Sequence, residues 1–453
     1  MSERLASSEI APSVGDLQGW LAQLGGGWPV EDDNASLVDQ IALLERVKAA
    51  AGAAQARLTV AFKQSTVAEL KQAGVRARDL TKGIGSEIAL ARQQSTYWGG
   101  RFVGFSEALV HEMPHTLTSL TTGDVSEYRA SLLVAETACL SVEDRGEVDR
   151  RLKGRLGGMG DKQIEAEAKK IAYELDPHSV VDRSRKAEQD RRVTSWPAPD
   201  TMMNVCALLP VTQGAAVMAA LTRAADQGRA GGDERSRGQL MADTFVERLT
   251  GQTRAHQTPV EVQLVMTDRT LFGDDHTPAW LTGHGPVPAA FARILLRRLD
   301  DDTLAWIRRV FTDPCTGLVT AVDARRRLIT GPLRRTVIIR DRWCRTPWCN
   351  APIRHGDHVI AVEDGGQTTE ANSQGLCEAC NYAKQAHGWR ARPGPGGAGV
   401  SVEITTPTGH TYQSRPPPLP GAPWPDREPD AMPHQIPAIE IYLRNPFDVE
   451  YAA

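Results

Sequence analysis

Four of the seven cysteines lie within a short stretch of the C-terminal half of this 453-residue chain. They form two close pairs, Cys344 with Cys349 and Cys377 with Cys380. Two short pairs separated by a loop are a common way to supply four thiolates to a tetrahedral zinc ion. We therefore expect these four cysteines to bind one structural zinc; the alternative is chance spacing. Because sulfur would fill all four positions, no place remains for a reactive water, and any chemistry belongs to the loop.

Acidic, imidazole, amide and basic side chains follow one another in that loop and just beyond it. In chain order they are Asp357, His358, Asn372, Asn381 and Lys384, with a Gly365-Gly366 step between the second and the third. Taken alone, an Asp-His step is typical of a solvated surface pair. Its functional interpretation therefore depends on the cysteine frame around it.

The order of these residues resembles the HNH nuclease family. Members carry an Asp-His step, a Gly-Gly turn, an asparagine, and then Cys-x-x-Cys followed by His or Asn, with a lysine shortly after. The likeness spans about residues 340–390 and implies a zinc-stapled ββα unit that cuts DNA. Asn381 stands where many members have a histidine, which makes this an HNN-like variant. Because an amide is a weaker ligand than an imidazole, the expected metal affinity is lower.

The same residues can divide the labour of phosphodiester hydrolysis. The reaction needs a base for the attacking water, stabilisation of the charged transition state, and help for the leaving 3′ oxygen. We expect His358, neutral near pH 7, to act as the general base. Asp357 and Asn381 are expected to hold a Mg²⁺ or Mn²⁺ ion that bridges the phosphate and the leaving group. Neighbours on a strand point to opposite faces, so this arrangement requires a local distortion near His358.

Two further residues receive roles beside this site. By resemblance, Asn372 braces the loop and orients His358 through a backbone hydrogen bond. Lys384, one helical turn after Asn381, is placed to reach a phosphate.

The charge distribution points to one DNA-facing region. Between Asp323 and Arg392 the chain has 12 basic and 7 acidic residues, although its formal net charge is −4. A local basic excess in an acidic chain is typical of a phosphate-binding segment, although charge clusters are also common on solvated faces. The arginines concerned are Arg325–Arg327, Arg334, Arg335, Arg340, Arg342 and Arg345, of which Arg340, Arg342 and Arg345 are the candidates for nucleic-acid binding.

The region before the cysteine pairs has a mainly helical pattern. Apolar residues recur at helical spacing from Leu37 to Leu58, and Ser36 with Asp39 is expected to begin this long helix. Shorter helical patterns lie at 84–92, 104–112, 125–138, 161–175, 178–191, 211–228, 234–249 and 288–299. Strand patterns occur within 193–209 and at 260–266, where strict alternation indicates a strand buried on one face. A hairpin is expected within 400–414.

These patterns predict an α+β protein in four parts. A disordered N-terminal arm (1–33) precedes a mostly helical domain (34–322). A small zinc-stapled ββα-metal HNH nuclease domain follows (323–392), and a Gly/Pro-rich, largely disordered extension ends the chain (393–453).

The mostly helical domain also resembles the N-terminal region that precedes HNH modules in many actinobacterial proteins, a repeat family without an assigned activity. The matching stretches include Leu208-Leu209-Pro210, Gly285-Pro286-Val287-Pro288 and Thr312-Asp313-Pro314. Within it, Arg235, Arg237, Gln239 and Asp243 lie on a predicted helix, where they can form a polar network or serve only in helix capping and surface pairing. The likeness assigns no function, so recognition of a DNA site, restraint of the nuclease and a homo-oligomer formed through this domain stay open.

Composition limits the remaining function classes. Residues 1–10 have no basic and apolar leader, and apolar runs such as Ala215–Leu221 are too short to span a bilayer. We therefore expect a cytoplasmic protein with DNA as its partner and without a membrane. The main alternative is a noncatalytic zinc-ribbon protein that binds DNA or another partner. A third hypothesis makes the helical domain a scaffold with an accessory nuclease.

Overall fold

The computed structural model describes residues 12–26, 33–251, 262–273, 275–297, 304–310, 329, 331–394, 401–419 and 438–444. Helices dominate these residues and the sheets are small, which confirms the predicted α+β class. The chain divides into two compact units, Met1–Arg57 with Leu109–Ala172, and Leu58–Ala108 with Tyr173–Ala453. The basic run Arg325–Arg327 lies outside the described residues.

The described helices are α1 (Val14–Gly25), α2 (Asn34–Gln72), α3 (Ile84–Ala91), α4 (Gly99–Glu107), α5 (Pro114–Thr122), α6 (Glu127–Glu136), α7 (Val142–Leu152), α8 (Asp161–Leu175), α9 (Pro177–Gln189), α10 (Val211–Ala230), α11 (Arg237–Thr250), α12 (Asp268–Phe272), α13 (Ala289–Arg297), α14 (Gly331–Asp341) and α15 (Glu378–Lys384). Most predicted helices end within two residues of the observed ends, but α2 extends well past the predicted pattern, α4 ends earlier than predicted, and α5, α7, α12 and α14 were not predicted. Short 3₁₀ turns lie at Ala77–Asp79, Thr96–Trp98, Leu156–Gly158 and Val362–Asp364, and a π-helical turn at Ala108–Glu112 follows α4. Helix α1 falls within the arm predicted to be disordered.

The strands form small antiparallel sheets. The described strands are β1 (Arg192–Ala198), β2 (Met202–Leu208), β3 (Val262–Thr267), β4 (Ala279–Leu281), β5 (Gly285–Val287), β6 (Leu304–Val310), β7 (His355–His358), β8 (Ser373–Leu376), β9 (Arg390–Pro393), β10 (Val402–Thr405), β11 (Thr411–Ser414) and β12 (Ala438–Arg444). Their orders are β1-β2, β5-β4-β3-β12-β6, β7-β8 and β11-β10-β9. Strands β10 and β11 are the predicted hairpin. Within the extension predicted to be largely disordered, the structure thus describes strands β10, β11 and β12.

Helix α2 begins earlier than the sequence pattern predicts. The Asp33 carboxylate accepts hydrogen bonds from the backbone N–H groups of Ala35 and Ser36 at 3.2 and 3.3 Å. The predicted start at Ser36 with Asp39 is therefore wrong, because Asp33 already satisfies the first free donors of the helix.

In the first unit, a buried carboxylate organises the apolar core. Asp149 of α7 is 1% exposed and accepts hydrogen bonds from the N–H groups of His115 and Thr116 at 2.7 and 2.8 Å. These are among the first free donors of α5, so a side chain from another helix caps α5. The fully buried side chains of this unit include Leu109, Met113, Leu120, Leu133, Leu152 and Ile164.

In the second unit, α10 and α11 carry the predicted polar network. Arg235 donates to Asp243 at 2.6 Å and to Asp233 at 2.7 Å, and Arg237 donates to Asp226 at 3.0 Å. Gln239 completes a capping box at the start of α11. The arginines are about half exposed, so these ion pairs fix helix ends and contribute little stability.

Strand β3 is buried on both faces of its five-stranded sheet. Leu264 and Met266 pack in one cluster with Ala292 of α13, whereas Val265 packs with Ile339 of α14. The strand itself was predicted, but the predicted exposed face is wrong because helices cover both sides.

The segment from α3 to α4 packs against the C-terminal part of the second unit. A Cβ atom on Gly99 would lie 2.1 Å from the Gly85 carbonyl oxygen, so two glycines allow this close approach. Glu87, 7% exposed, accepts a hydrogen bond from the Thr408 N–H at 3.2 Å. These contacts hold the turn Thr96–Trp98 in place.

Candidate active site

Strands β7 and β8 and helix α15 form a ββα unit. The two strands pair with Asp357 opposite Gln374 and His358 opposite Ser373. Cys377 occupies the cap position of α15, where its sulfur accepts from the Cys380 N–H at 3.5 Å. The second cysteine pair therefore also starts the helix that carries Asn381 and Lys384.

The four predicted zinc ligands converge. The sulfur atoms of Cys344, Cys349, Cys377 and Cys380 all lie within 4.8 Å of one another, and all four residues are buried. The Cys349 and Cys377 sulfurs are 3.8 Å apart. Tetrahedral zinc with Zn–S bonds of about 2.3 Å places its sulfurs roughly 3.8 Å apart, so the donor set fits this ion. Hydrogen bonding with the Cys344 thiol lowers the pKa of Cys349 and Cys377, that of Cys377 to about 7.

Two hydroxyl groups from far upstream contact this sulfur cluster. The Thr96 Oγ1 atom lies 2.8 Å from the Cys380 sulfur, and the Ser95 hydroxyl donates to the Cys349 sulfur at 3.6 Å. Both belong to the turn between α3 and α4. Hydroxyl contacts to the ligands orient metal-binding side chains. Nothing local in the sequence links these two residues to the cysteines.

Asp357 and Lys384 form an ion pair at the centre of the ββα unit. The Lys384 ammonium donates to the Asp357 Oδ2 at 2.6 Å, and both side chains are 17% exposed. Gln374 donates to the same oxygen at 3.1 Å. Lys384 also donates to the His358 carbonyl. The ammonium therefore bonds to the carboxylate that the sequence analysis expects to hold a divalent cation.

Asn381 meets β7 on the same face as Asp357. Its Nδ2 atom lies 2.9 Å from His355 Nδ1, and His355 alternates with Asp357 along the strand. The buried Oδ1 of Asn381 and the buried Oε1 of Gln374 have no hydrogen-bond partner within the described residues. Unpartnered buried oxygens are costly, and a bound cation would satisfy them. Carboxylate and amide oxygens such as those of Asp357, Asn381 and Gln374 are of the type that hard divalent cations prefer.

His358 is held by its loop. Its Nε2 atom lies 2.9 Å from the Thr368 hydroxyl. Burial lowers the pKa of His358; Asp357 opposes this shift and Lys384 adds to it. The imidazole is therefore neutral near pH 7 and able to accept a proton.

Asn372 braces the loop through a neighbouring position. Its Oδ1 accepts from the Ile360 N–H at 2.8 Å, and its Nδ2 donates to the carbonyls of Ile360 and Gln367 at 3.0 and 2.9 Å. A Cβ atom on Gly366 would lie 1.9 Å from the Ile360 carbonyl oxygen, which explains the second glycine of the turn. These side-chain bonds go to Ile360 and Gln367, and the His358 carbonyl is contacted by Lys384 instead.

Arg340 and Arg345 surround a buried carboxylate. Asp341 is fully buried and accepts from Arg340 at 2.7 Å, Arg345 at 2.9 Å and the Gly375 N–H at 2.7 Å. Burial alone would raise the pKa of Asp341, but the charges of the two arginines outweigh it and lower the pKa. Arg340 and Arg345 are only 2% and 3% exposed. The structure therefore replaces their expected phosphate contact with a structural role.

Arg342 is also engaged inside the protein. It donates to the Pro418 carbonyl at 2.7 Å, and its guanidinium lies 4.0 Å from the ring centre of Trp280. Burial lowers the pKa of Arg342 to about 10. These contacts hold the guanidinium against the Trp280 ring and the Pro418 backbone, and a contact of Arg342 with a phosphate stays a prediction.

Two family models match the chain. The model described as Domain of unknown function (DUF222) covers residues 45–341, well over half of the sequence. The chain belongs to the DUF222 family. In this DUF222 protein an HNH endonuclease model matches residues 344–387, directly after the first match. The HNH domain supports a nuclease function in general and implies a nucleic-acid substrate.

Other comparisons add no relative to this DUF222 protein. No curated protein matches the chain, and no solved structure matches it. Among the described helices, none combines the length and apolar character needed to cross a bilayer.

Sequence reasoning missed several residues of the site. His355 and Gln374 were absent from the candidate set, although strand alternation from Asp357 and pairing across the hairpin could have found them. Nothing in the sequence around Thr368, other than its place in the loop, indicated that it would contact His358. Asp341 was not a candidate because the sequence analysis of this segment considered only its basic residues.

Proposed function

We propose that the HNH domain of this DUF222 protein hydrolyses phosphodiester bonds of DNA with the help of a divalent cation, Mg²⁺ or Mn²⁺. One observation carries the proposal. The Asp357 carboxylate and the unpartnered Asn381 amide oxygen lie on the same face of β7, where Lys384 and His355 contact them, and the half-buried His358 follows Asp357 along the strand. An acidic oxygen, a free amide oxygen and a neutral imidazole are the groups that metal-assisted hydrolysis needs.

Asp357 and Asn381 are the proposed cation ligands. Lys384 and Gln374 both bond to the Oδ2 atom of Asp357, which leaves Oδ1 available to a cation. The Nδ2 atom of Asn381 is hydrogen-bonded to His355, whereas its Oδ1 atom has no hydrogen-bond partner within the described residues. When bound, the cation supplies charge stabilisation for the phosphate and the leaving 3′ oxygen.

His358 is the proposed general base. In this proposal Nε2 carries the ring proton and donates a hydrogen bond to the Thr368 hydroxyl, which leaves Nδ1 to accept a proton from the attacking water. The lowered pKa keeps the ring unprotonated near neutral pH. Asn372 holds the backbone two residues later, and Lys384 offers its remaining N–H to the phosphate.

The experiment is a plasmid cleavage assay with purified full-length protein. Supercoiled plasmid is incubated with Mg²⁺ or Mn²⁺ and with wild type, His358→Ala, or His387→Ala, which changes an exposed histidine of the same domain. We expect wild type and His387→Ala to cut the plasmid and His358→Ala to lose about 100-fold or more, since general-base catalysis contributes roughly 10²–10⁴-fold. The proposal fails if wild type cuts no better than His358→Ala with either metal.

A noncatalytic zinc-ribbon protein is the second candidate. The ion pair between Asp357 and Lys384 favours it, because this pair neutralises the carboxylate without a cation. Binding of plasmid without cleavage under every metal condition would support this second candidate.

A further inference from the structure

An open groove lies beside the ββα unit, between the turn Thr96–Trp98 and helix α15. Tyr97 lines one side, Glu378 and Tyr382 of α15 line the other, and Pro352 and Arg354 also line it. The groove holds about 500 Å³, which is within the range of ligand sites.

Three aromatic side chains at or beside this groove are exposed to solvent. Tyr97 is 58% exposed, Tyr382 is 56% exposed, and the neighbouring Trp98 is 42% exposed. Such clustered exposure marks an interaction surface more often than a lone exposed ring does. The edge of Tyr97 meets Trp98 with ring centres 5.7 Å apart. The rings therefore form a patch that a flat partner can cover.

Arg101 holds this patch in shape. Its guanidinium lies 4.6 Å from the Tyr97 ring centre and 5.1 Å from that of Trp98. It also donates to the Tyr97 hydroxyl at 2.6 Å. A ring that is held before binding loses less side-chain entropy when a ligand stacks on it.

The turn that carries Tyr97 is anchored to the sulfur cluster. Ser95 and Thr96, the two preceding residues, contact the Cys349 and Cys380 sulfurs. The DUF222 match includes these residues, whereas Tyr382 belongs to the HNH match. The two regions thus build opposite walls of one groove within the second unit.

Contacts through Tyr382 and His355 connect the groove with the proposed cleavage site. The Tyr382 ring lies edge-on to His355, with centres 6.3 Å apart, and His355 contacts Asn381 at 2.9 Å. A strand whose phosphate reaches Asn381 therefore passes directly beside Tyr382.

The charges suit a phosphate backbone. Arg354 is exposed at the groove and Arg101 lies behind Tyr97; Glu378, the one carboxylate among the described lining residues, accepts a hydrogen bond from Tyr382 at 3.2 Å, and the sulfur ligands Cys349 and Cys377 also line the groove. Aromatic rings beside basic groups are typical of sites that stack unpaired bases and follow the backbone. In a continuous duplex, neighbouring bases cover both faces of each base, so a side chain cannot stack there.

We propose that Tyr97 and Tyr382 stack unpaired bases of a DNA strand next to the scissile phosphate, so that the substrate is DNA with a single-stranded segment. This inference rests on the proposed nuclease function, and it assigns a binding role to the 95–101 segment of the DUF222 region.

Binding is measured without cleavage, in Ca²⁺ or EDTA, by fluorescence anisotropy with one labelled oligonucleotide as single strand and as blunt duplex. We expect wild type to bind the single strand more tightly. Tyr97→Ala should weaken that binding by about 5- to 100-fold, the range expected for one stacked base. Tyr97→Phe should retain it, and Tyr128→Ala, which removes an equally exposed tyrosine of α6, should leave it unchanged.

A second measurement distinguishes a loss of DNA binding from a loss of folding. Zinc content and thermal midpoint are compared for each variant, and Tyr382→Ala replaces Tyr97→Ala if the latter does not fold. Equal binding of single strand by wild type and by a folded Tyr97→Ala or Tyr382→Ala variant overturns the inference, as does tighter binding of duplex or of single-stranded RNA. Because no cleaving metal is present, these outcomes are independent of plasmid cleavage, whose failure would instead overturn the proposed function.

Discussion

At the scale of single residues, the Asp357 carboxylate decides whether the site can hold a cation. One of its oxygens bonds to Lys384 and Gln374, and the other faces no hydrogen-bond donor among the described contacts. The chain order of Asp357, His358 and Asn381 made these residues candidates in the sequence, and their roles stay a proposal. Their spatial relation was not predictable, because it depends on how α15 packs on β7.

Replacing this carboxylate tests the cation directly. Asp357→Asn should reduce Mn²⁺ binding at least tenfold, because a neutral amide replaces the charged ligand. Zinc should stay at one ion per chain, since Asp357 is not a sulfur ligand. Mn²⁺ titration followed by electron paramagnetic resonance, together with elemental analysis, measures both. Asp364→Asn, an exposed carboxylate of the same domain, is the control, and equal Mn²⁺ affinity in the two variants would contradict the assignment.

The buried Asp341 gives a second residue-scale prediction. Asp341→Asn leaves Arg340 and Arg345 buried without their shared counter-charge, which should cost about 3–5 kcal/mol of unfolding free energy at pH 7. The pKa of Asp341 is lowered in the fold, so its contribution is present above the unfolded pKa and is lost as pH falls through the folded one. The stability difference between wild type and variant should therefore shrink below about pH 4.

Urea unfolding between pH 3 and 7 measures this difference, with Asp364→Asn as the control. A difference that does not change with pH would argue against a charged Asp341. Sequence reasoning misassigned these arginines because the Gly375 N–H that completes the Asp341 cluster lies 34 residues further along the chain.

At the scale of elements, hydrophobic periodicity located the longer helices well. Helix α8 has the predicted bounds, and α10 extends two residues beyond the predicted end. Strand β12 was not anticipated, because it follows a proline-rich stretch, although Ala-Ile-Glu-Ile-Tyr-Leu-Arg alternates in the manner of a strand. Periodicity reports one element at a time, whereas β12 is defined by its pairing with β3 and β6.

The turn between α3 and α4 provides an element-scale prediction about zinc. Thr96→Val keeps the shape of the side chain and removes the hydroxyl at the Cys380 sulfur. Loss of such an outer contact typically lowers metal affinity about 10- to 100-fold. We expect faster zinc release to a chromogenic chelator, measured under native conditions. Thr118→Val on α5 is the control, and equal release rates for the two variants would show that the hydroxyl does not support the cluster.

At the scale of the whole molecule, the predicted domain boundary at residue 323 lies inside the second compact unit. That unit contains Leu58–Ala108 as well as the HNH match. Within it, a Cβ on Gly83 would lie 2.4 Å from the Trp389 indole nitrogen, and Glu87 bonds to Thr408. Composition and charge along the chain placed the boundary, but such long-range contacts leave no trace in a single sequence.

A fragment of residues 331–419 tests this shared core. The fragment retains all four cysteines but lacks Gly83, Glu87, Ser95 and Thr96. We expect it to bind zinc more weakly and to be cleaved faster in limited proteolysis than the same region in the full chain, because the buried surface around Trp389 would be exposed. Equal zinc retention and equal protease resistance would mean that the ββα unit folds independently.

The hydroxyl contact between Thr96 and Cys380 spans 284 positions of the chain. During synthesis on a ribosome, the upstream threonine emerges roughly 15–60 s before the cysteine does, at about 5–20 residues per second. Local helices form within that interval, whereas so distant a contact has to wait for the complete polypeptide. The sulfur cluster is therefore expected to mature last, and a nascent chain that is released early would carry the helices without a finished metal-binding cluster.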